Sequence, residues 1–254
     1  MSSAKRVLIT GTSSGIGKEL LKRYSTLDTQ LIAIDKIPDP ELVKICPSAI
    51  FRKVDVSNEL EVDNLIDYLV DLNIVPDVYI FNAAIHEIDN DVFINYNLLR
   101  EVLEVDLMST LKFLSRLMPI LNKPATFVFC SSGVIIFPNP ANIGYFLGKL
   151  GVTRVFDLFA HRYAKYGFRF KSVILGPIAS DMLYKSLAPN GFFRCIRDLT
   201  TGSPEAAADK IVAFIDRPSR HMYYRSVSAI VLWLARIIQA ILPTSFKVYT
   251  ARSK

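Results

Sequence analysis

The amino-acid sequence predicts an α/β fold, in which helices cover both faces of a parallel sheet within a single domain. Short apolar runs alternate along the chain with longer segments of helical periodicity. The apolar runs contain few polar residues, as expected of strands that are covered on both faces. The length of 254 residues, of which 51% are hydrophobic, suits one such domain with a large core.

Six strands and four principal helices are predicted from these segments. Three prolines favour a loop over residues 38–47, and residues 188–202 are predicted to be irregular. Ser203 and Pro204 then supply the cap and the first residue of a further helix. The predicted strands cover residues 6–10, 31–34, 50–54, 78–81, 126–130 and 170–175, and the helices cover residues 16–24, 59–72, 95–121 and 145–166.

The net charge of +6 is concentrated in the C-terminal part of the chain. Residues 217–254 carry seven Lys or Arg and no Asp or Glu. We therefore predict a main domain over residues 1–216 and a basic, apolar extension over residues 217–254. Because the rest of the chain is nearly neutral, the charge pattern argues against a broad face for nucleic acid.

The extension allows two interpretations. Residues 227–242 are almost continuously apolar, but sixteen residues that include an Arg and a Gln are a poor transmembrane span. A helix that packs into the same domain or against another subunit is one interpretation. A peripheral membrane anchor is the other, because Trp233, Tyr223 and Tyr224 suit the surface of an anionic bilayer.

Cysteine usage favours a cytoplasmic protein. Cys46, Cys130 and Cys195 have no disulfide or metal spacing and are interpreted as reduced thiols, and the three histidines form no metal set. Too few apolar residues follow Lys5 and Arg6 for a secretory signal. A peripheral position at the membrane surface is left open by the extension.

A glycine-rich turn links the first predicted strand to the first helix. Glycine permits a tight turn and the close approach of a pyrophosphate, and the helix N-terminus offers N–H groups to the same anion. This placement predicts a dinucleotide site in a Rossmann-type fold, so residues 1–216 are assigned as an NAD(P)-binding domain. The residues of the turn are Gly11, Thr12, Ser13, Ser14, Gly15, Ile16 and Gly17.

Asp35 ends the second predicted strand, 18 residues after Gly17. A carboxylate there accepts hydrogen bonds from the hydroxyls of an adenosine ribose and repels a 2′-phosphate. The sequence therefore favours NAD as the cofactor. Lys36 leaves NADP possible, because a base beside the ribose could neutralise that phosphate.

Tyr145 and Lys149 lie four residues apart on one face of a predicted helix, and Ser132 precedes Tyr145 by 13 residues. With these residues and the glycine turn, the chain resembles the classical short-chain dehydrogenase/reductase family over residues 6–182. The other marks of the resemblance are Asp35, Asp55 and Val56, Asn82 to Ala84, and the run from Gly176 to Ser180.

The resemblance implies transfer of a hydride between a nicotinamide and a ketone or secondary alcohol. Tyr145 would be the general acid or base, with a pKa lowered by the Lys149 ammonium and the oxidised nicotinamide. Ser132 would polarise the substrate oxygen. Family members pair through two long helices, which implies a homodimer or homotetramer. The implied cofactor contacts are Asp55, Val56, Asn82, Ala83, Ala84, Pro177, Ile178 and Ser180, together with Tyr145 and Lys149.

Four positions depart from the family pattern. Asp106 stands where the family usually has an Asn that supports a water chain to the lysine through its backbone carbonyl; the carboxylate keeps that carbonyl and adds a charge. Phe81, Ala84 and Ser180 stand where Asn, Gly and Thr are usual. Because Ser132, Tyr145 and Lys149 are all present, an active enzyme is expected.

Two other functions are left open by the sequence. The basic extension suggests a membrane-surface reductase of a lipid or a polyprenyl-linked sugar, and the nucleotide site alone would suit a nicotinamide-binding regulator without turnover. Residues 183–200 are a candidate lid. His86 and Glu87 follow the fourth predicted strand and could touch a substrate, although an ordinary pair of loop residues is the simpler interpretation.

Overall fold

The computed structural model of the chain describes residues 4–87, 93–136, 138, 142–180, 182–183 and 201–224. Within these ranges the strands are β1 (Lys5–Thr10), β2 (Thr29–Asp35), β3 (Ile50–Lys53), β4 (Val78–Phe81), β5 (Thr126–Ser132), β6 (Arg169–Leu175) and β7 (His221–Tyr224). They form one parallel sheet in the order β3-β2-β1-β4-β5-β6-β7. The predicted Rossmann-type, doubly wound parallel sheet is confirmed.

The helices of the same ranges cover both faces of this sheet. They are α1 (Gly15–Ser25), α2 (Pro40–Ile45), α3 (Glu59–Asp71), α4 (Tyr96–Leu103), α5 (Ser109–Leu117), α6 (Ile143–Arg162) and α7 (Pro204–Ile215). The predicted cap of α7 is present, since the Ser203 hydroxyl accepts a hydrogen bond from the Ala206 N–H at 3.2 Å. Short 3-10 turns lie at Met118–Ile120, Gly133–Ile135 and Ala164–Tyr166.

Helix α2 corrects the loop that was predicted over residues 38–47. The Asp39 carboxylate accepts a hydrogen bond from the Glu41 N–H at 2.9 Å, and Pro40 occupies the first helical position. Proline is tolerated there because the first N–H groups of a helix have no partner within it. One of the three prolines therefore begins a helix, and the other two lie just outside its caps.

The single helix predicted over residues 95–121 is also wrong in detail. Asn95 caps its start, accepting a hydrogen bond from the Leu98 N–H at 3.2 Å. A π-helical turn at Glu104–Met108 then separates α4 from α5. Such turns insert an extra residue into a helix and occur often at functional sites. This one carries Asp106, which is completely buried.

Strand β7 lies beyond residue 216, within the predicted extension. It pairs with β6 from Ser172 opposite His221 to Leu175 opposite Tyr224, so the sheet continues into the predicted extension. Tyr223 and Tyr224 are therefore strand residues. Residues 225–254 and most of the candidate lid lie outside the described residues. In the part of the chain that is described, no helix has the length and apolarity needed to cross a membrane.

Alternate residues of the central strands pack on opposite faces of the sheet and so belong to two separate halves of the core. Val7 and Ile9 pack on the side of α1 and α7, whereas Leu8 packs on the side of α3, α5 and α6. This follows from the two-residue period of a strand. On the second side Phe156 of α6 lies 5.4 Å from the ring centroid of Phe170. This aromatic cluster supports α6.

We expect Phe156→Ala to lower the free energy of unfolding by about 3–5 kcal/mol, because a large buried ring is replaced by a cavity. Phe93→Ala is the matched control: its side chain is 84% exposed, so the same substitution should change stability by less than about 0.5 kcal/mol. Urea denaturation followed by circular dichroism measures both. Equal losses in the two variants would contradict the assigned packing.

Candidate active site

A cavity of about 890 Å³ opens at the carboxyl ends of β1, β4 and β5. The strand order reverses between β1 and β4, and ligands of such sheets bind at that reversal. Most of the predicted site residues line this one cavity. They are Gly11, Ser14, Gly15, Ile16, Asp35, Lys36, Asp55, Val56, Asn82, Ala83, Ala84, Ser132, Tyr145, Lys149, Pro177, Ile178 and Ser180.

Four predicted site residues are not part of the cavity wall. Thr12 is buried behind the glycine turn, and its hydroxyl lies 3.4 Å from the Ile34 carbonyl oxygen, to which it donates. Ser13 and Gly17 belong to the same turn, and Asp106 lies behind Lys149. These four residues lie behind those that line the cavity.

The glycine turn holds its conformation through close backbone contacts. Gly11 has a φ of +72°, which favours glycine, and a Cβ there would lie 2.8 Å from the Cα of Ala83. A Cβ on Gly17 would overlap the carbonyl oxygen of Gly11. The Ser14 side chain makes no capping hydrogen bond, so the first N–H groups of α1 stay available to an anion. This cradle fits the pyrophosphate of a dinucleotide.

A threonine and an asparagine tie the ends of β1 and β4 together. The Thr10 hydroxyl accepts hydrogen bonds from the backbone N–H groups of Asn82 and Ala83, at 3.1 and 3.0 Å. The Asn82 side-chain amide donates to the carbonyl oxygens of Thr10 and Gly11, at 3.2 and 2.9 Å. The floor of the cavity is therefore fixed by side chains that belong to both strands.

The Asp35 carboxylate stands at the end of β2, where it accepts hydrogen bonds from the N–H groups of Ser13 and Ile37 at 2.8 and 3.0 Å. Lys36 is not a free cation beside it: its ammonium lies 2.7 Å from the Asp55 carboxylate. Burial raises the pKa of Asp55, but Lys36 and Ser57 lower it further, so this pKa lies below its usual range. The positive charge that left NADP possible in the sequence is therefore paired with Asp55.

Ser132, Tyr145 and Lys149 meet at the other end of the cavity. Ser132 is the last residue of β5, and Tyr145 is the third residue of α6. The Ser132 hydroxyl accepts a hydrogen bond from the Val134 N–H at 3.3 Å, and its proximity lowers the pKa of the Tyr145 hydroxyl. Lys149, one turn further along α6, lies with its ammonium 5.4 Å from the Tyr145 ring centroid.

The Lys149 ammonium is buried and has two oxygen neighbours. It donates to the Cys130 carbonyl oxygen at 3.1 Å and lies 3.7 Å from the Asp106 carboxylate. Burial raises the pKa of Asp106 to about 6, although Lys149 and the Ile85 N–H oppose this rise. The pKa of Lys149 is raised, because the nearby Asp106 outweighs the lowering by burial. Each of the two groups therefore favours the charged form of the other.

The pKa of Tyr145 in the protein alone lies above its usual value. Burial raises it above its usual value; the Lys149 ammonium lowers it, and the Asp106 carboxylate raises it again. The lowering by Lys149 has the direction that the sequence predicted for Lys149 and an oxidised nicotinamide together, whereas the depth of the phenol and the distance to Asp106 are properties of the fold. In the protein alone Tyr145 holds its proton strongly.

Two further residues line the cavity beside Tyr145. His86, interpreted as an ordinary loop residue, has its ring centroid 4.8 Å from that of Tyr145, with the two rings nearly perpendicular. Asn142 was not predicted; its amide lies 2.7 Å from His86 Nε2. The spacing of Asn142 from Tyr145, three residues along a helix, was a signal that could have identified it.

The sequence and the fold both have known relatives. The family model described as short chain dehydrogenase matches residues 5–190. "Short-chain dehydrogenase reductase 3b" of Arabidopsis thaliana is 26% identical over 188 residues, which cover 70% of this chain and 73% of the relative.

Two solved structures share the fold. A putative short-chain dehydrogenase/reductase from Burkholderia xenovorans has a TM-score of 0.78 at 18% identity, over 89% of this chain and 96% of that one. A 3-ketoacyl-(acyl-carrier-protein) reductase from Brucella melitensis, complexed with NADH, has a TM-score of 0.74 at 19% identity, over 86% and 96% of the respective chains.

Asp106 makes stability depend on pH. Its pKa is about 6 in the folded protein and 3.8 for a freely solvated side chain, so the folded protein binds the proton more tightly. The bound proton therefore stabilises the fold fully below pH 4, and this stabilisation is lost as the pH rises through 6. Asp106→Asn lacks this contribution. From pH 4 to 7 we expect the wild type to lose on the order of 3 kcal/mol relative to the variant.

Urea denaturation at several pH values measures this difference. Asp71→Asn, at an exposed position of α3, makes the same change of charge and should follow the wild type. If the free energies of unfolding of the wild type and Asp106→Asn changed in parallel with pH, Asp106 would not titrate in this range.

Proposed function

Because the chain belongs to the short-chain dehydrogenase family, we propose that it is an NAD-dependent oxidoreductase of a ketone or secondary alcohol, with Tyr145 as general acid and base. The observation that carries this proposal is that Ser132 and Tyr145 line one cavity together with the buried Lys149. When bound, the nicotinamide supplies the hydride for reduction and accepts it in oxidation.

Ser132 binds and polarises the substrate oxygen. Its oxygen already accepts the Val134 N–H, so its proton is available for donation. Because charge grows on the substrate oxygen during reduction, a donor fixed in place stabilises the transition state more than the ground state. The end of β5 and the following 3-10 turn keep this hydroxyl in position.

Tyr145 moves the proton. In reduction its hydroxyl donates to the carbonyl oxygen, and in oxidation its phenolate accepts the proton of the alcohol. Burial favours the protonated phenol, which suits the donor role, and the Lys149 ammonium stabilises the phenolate that remains afterwards. Asp106 acts through Lys149: it keeps the ammonium charged and offsets part of its effect on Tyr145.

The residues at the other end of the cavity support NAD. The Asp35 carboxylate would accept the ribose hydroxyls and repel a 2′-phosphate, and Lys36 is neutralised by Asp55. The Brucella melitensis reductase, whose fold is similar, was solved with NADH. We infer that this chain uses NAD(H) in preference to NADP(H).

Tyr145→Phe should reduce turnover by about 10²–10⁴-fold, because the proton donor is lost while the ring remains. NADH binding, measured by fluorescence titration, should change little. Tyr166→Phe, at an exposed position outside the cavity wall, is the matched control and should keep wild-type turnover. Turnover of Tyr145→Phe at the wild-type rate would overturn the assigned role.

Asp35→Asn should shift the cofactor preference toward NADPH. The variant removes the charge that repels the 2′-phosphate but keeps one oxygen that can accept the Ser13 N–H of the glycine turn. We expect the ratio of the NADPH and NADH dissociation constants to fall about ten-fold. Asp28→Asn, exposed and distant from the cavity wall, should leave the ratio unchanged. A wild type that prefers NADPH would refute the inference.

A further inference from the structure

His86 and Asn142 form a polar pair on the cavity wall at the substrate end. Tyr145 lies against the His86 ring, and Asn142 is only 7% exposed. His86 belongs to the segment after β4 and Asn142 immediately precedes α6, so two separate parts of the chain place them together. The proposed reaction through Ser132, Tyr145 and Lys149 uses neither of them.

Each member of the pair has one unpaired polar atom. His86 Nδ1 and Asn142 Oδ1 are closed off from solvent and have no hydrogen-bond partner within the described residues. Leaving a buried polar atom unpaired is unfavourable, and such an atom in a folded protein calls for an explanation. Both side chains line the cavity, so a bound molecule could pair with them.

The hydrogen-bonding character of the free atoms follows from the contact between the two residues. Burial lowers the pKa of His86, so its ring is neutral and carries a single N–H. If the Asn142 amide N–H donates to Nε2, then Nδ1–H is a free donor and Oδ1 a free acceptor. If the amide is turned over, the free ring nitrogen is the acceptor and the free amide nitrogen the donor. Either arrangement leaves one donor and one acceptor.

We propose that His86 and Asn142 recognise a hydroxyl group next to the reacting carbon, so that the substrate is a hydroxyketone or the corresponding diol. A hydroxyl both accepts and donates a hydrogen bond, and therefore complements the pair in either arrangement. The perpendicular contact places His86 against the ring of Tyr145, the proposed proton donor. This inference rests on the proposed oxidoreductase function and adds the class of substrate.

Three ketones of similar shape test the proposal with NADH: cyclohexanone, 2-hydroxycyclohexanone and, as a steric control, 2-methylcyclohexanone. We expect the wild-type kcat/KM for the hydroxyketone to exceed that for the methyl ketone by about ten-fold or more, because the methyl analogue leaves both polar atoms unpaired. Equal efficiencies would overturn the proposal and leave the oxidoreductase function intact.

His86→Phe keeps a ring against Tyr145 but removes the hydrogen bonds. The ratio of kcat/KM for the hydroxyketone to kcat/KM for the methyl ketone should therefore fall close to one. Asn142→Leu removes the other half of the pair and should give the same result if the first variant does not fold. His161→Phe, at an exposed histidine outside the cavity wall, should keep the wild-type ratio. A ratio that persists in both site variants would overturn the proposal.

A binding measurement separates this inference from the proposed reaction. Should the wild type bind NADH but oxidise it with none of the ketones, the proposed function would fail. Calorimetric binding of trans-1,2-cyclohexanediol and cyclohexanol to the NADH-bound protein would still decide the inference. Tighter binding of the diol that is lost in His86→Phe supports it, and equal binding of the two alcohols overturns it.

Discussion

The buried ammonium of Lys149 is the constraint on which the site depends. A positive charge taken out of water is stable only when it is paired and hydrogen-bonded. Here the Cys130 carbonyl oxygen, the Asp106 carboxylate and the face of the Phe129 ring surround it. These partners come from β5 and the π-helical turn, whereas Lys149 itself lies in α6. The charge thus holds three elements in the arrangement that presents Tyr145 to the cavity.

The π-helical turn has a direct consequence for the charge balance of the site. It directs Asp106 inward, where one carboxylate oxygen accepts the Ile85 N–H at 2.8 Å and the other faces Lys149. The packing against α6 is close at this point, because a Cβ on Gly148 would lie 2.7 Å from the Asp106 Cβ. An amide at this position could make the same backbone contact without a charge. The carboxylate instead couples the protonation of Lys149 to that of Tyr145.

Sequence patterns predicted the features that depend on neighbouring residues. Short apolar runs predicted six of the strands, and the glycine turn between β1 and α1 predicted the cofactor end of the cavity. Strand β7 was missed, since four residues with two exposed or half-exposed tyrosines have no apolar run and pair only because β6 lies beside them. The effect of burial on the pKa of Tyr145 was not predicted, for the same reason: burial is a property of the assembled fold.

The two ends of the cavity differ in how far their polar groups are satisfied. At the cofactor end, Thr10, Asn82 and Asp35 bind backbone groups of the glycine turn and its neighbours, so the cradle is rigid before a ligand arrives. At the substrate end, His86 and Asn142 each keep an unpaired atom. Rigid, satisfied groups select a ligand by shape, whereas unpaired buried groups select it by the hydrogen bonds that it brings. On the proposed function, substrate choice rests on residues that the family motifs do not include, so those motifs alone do not reveal it.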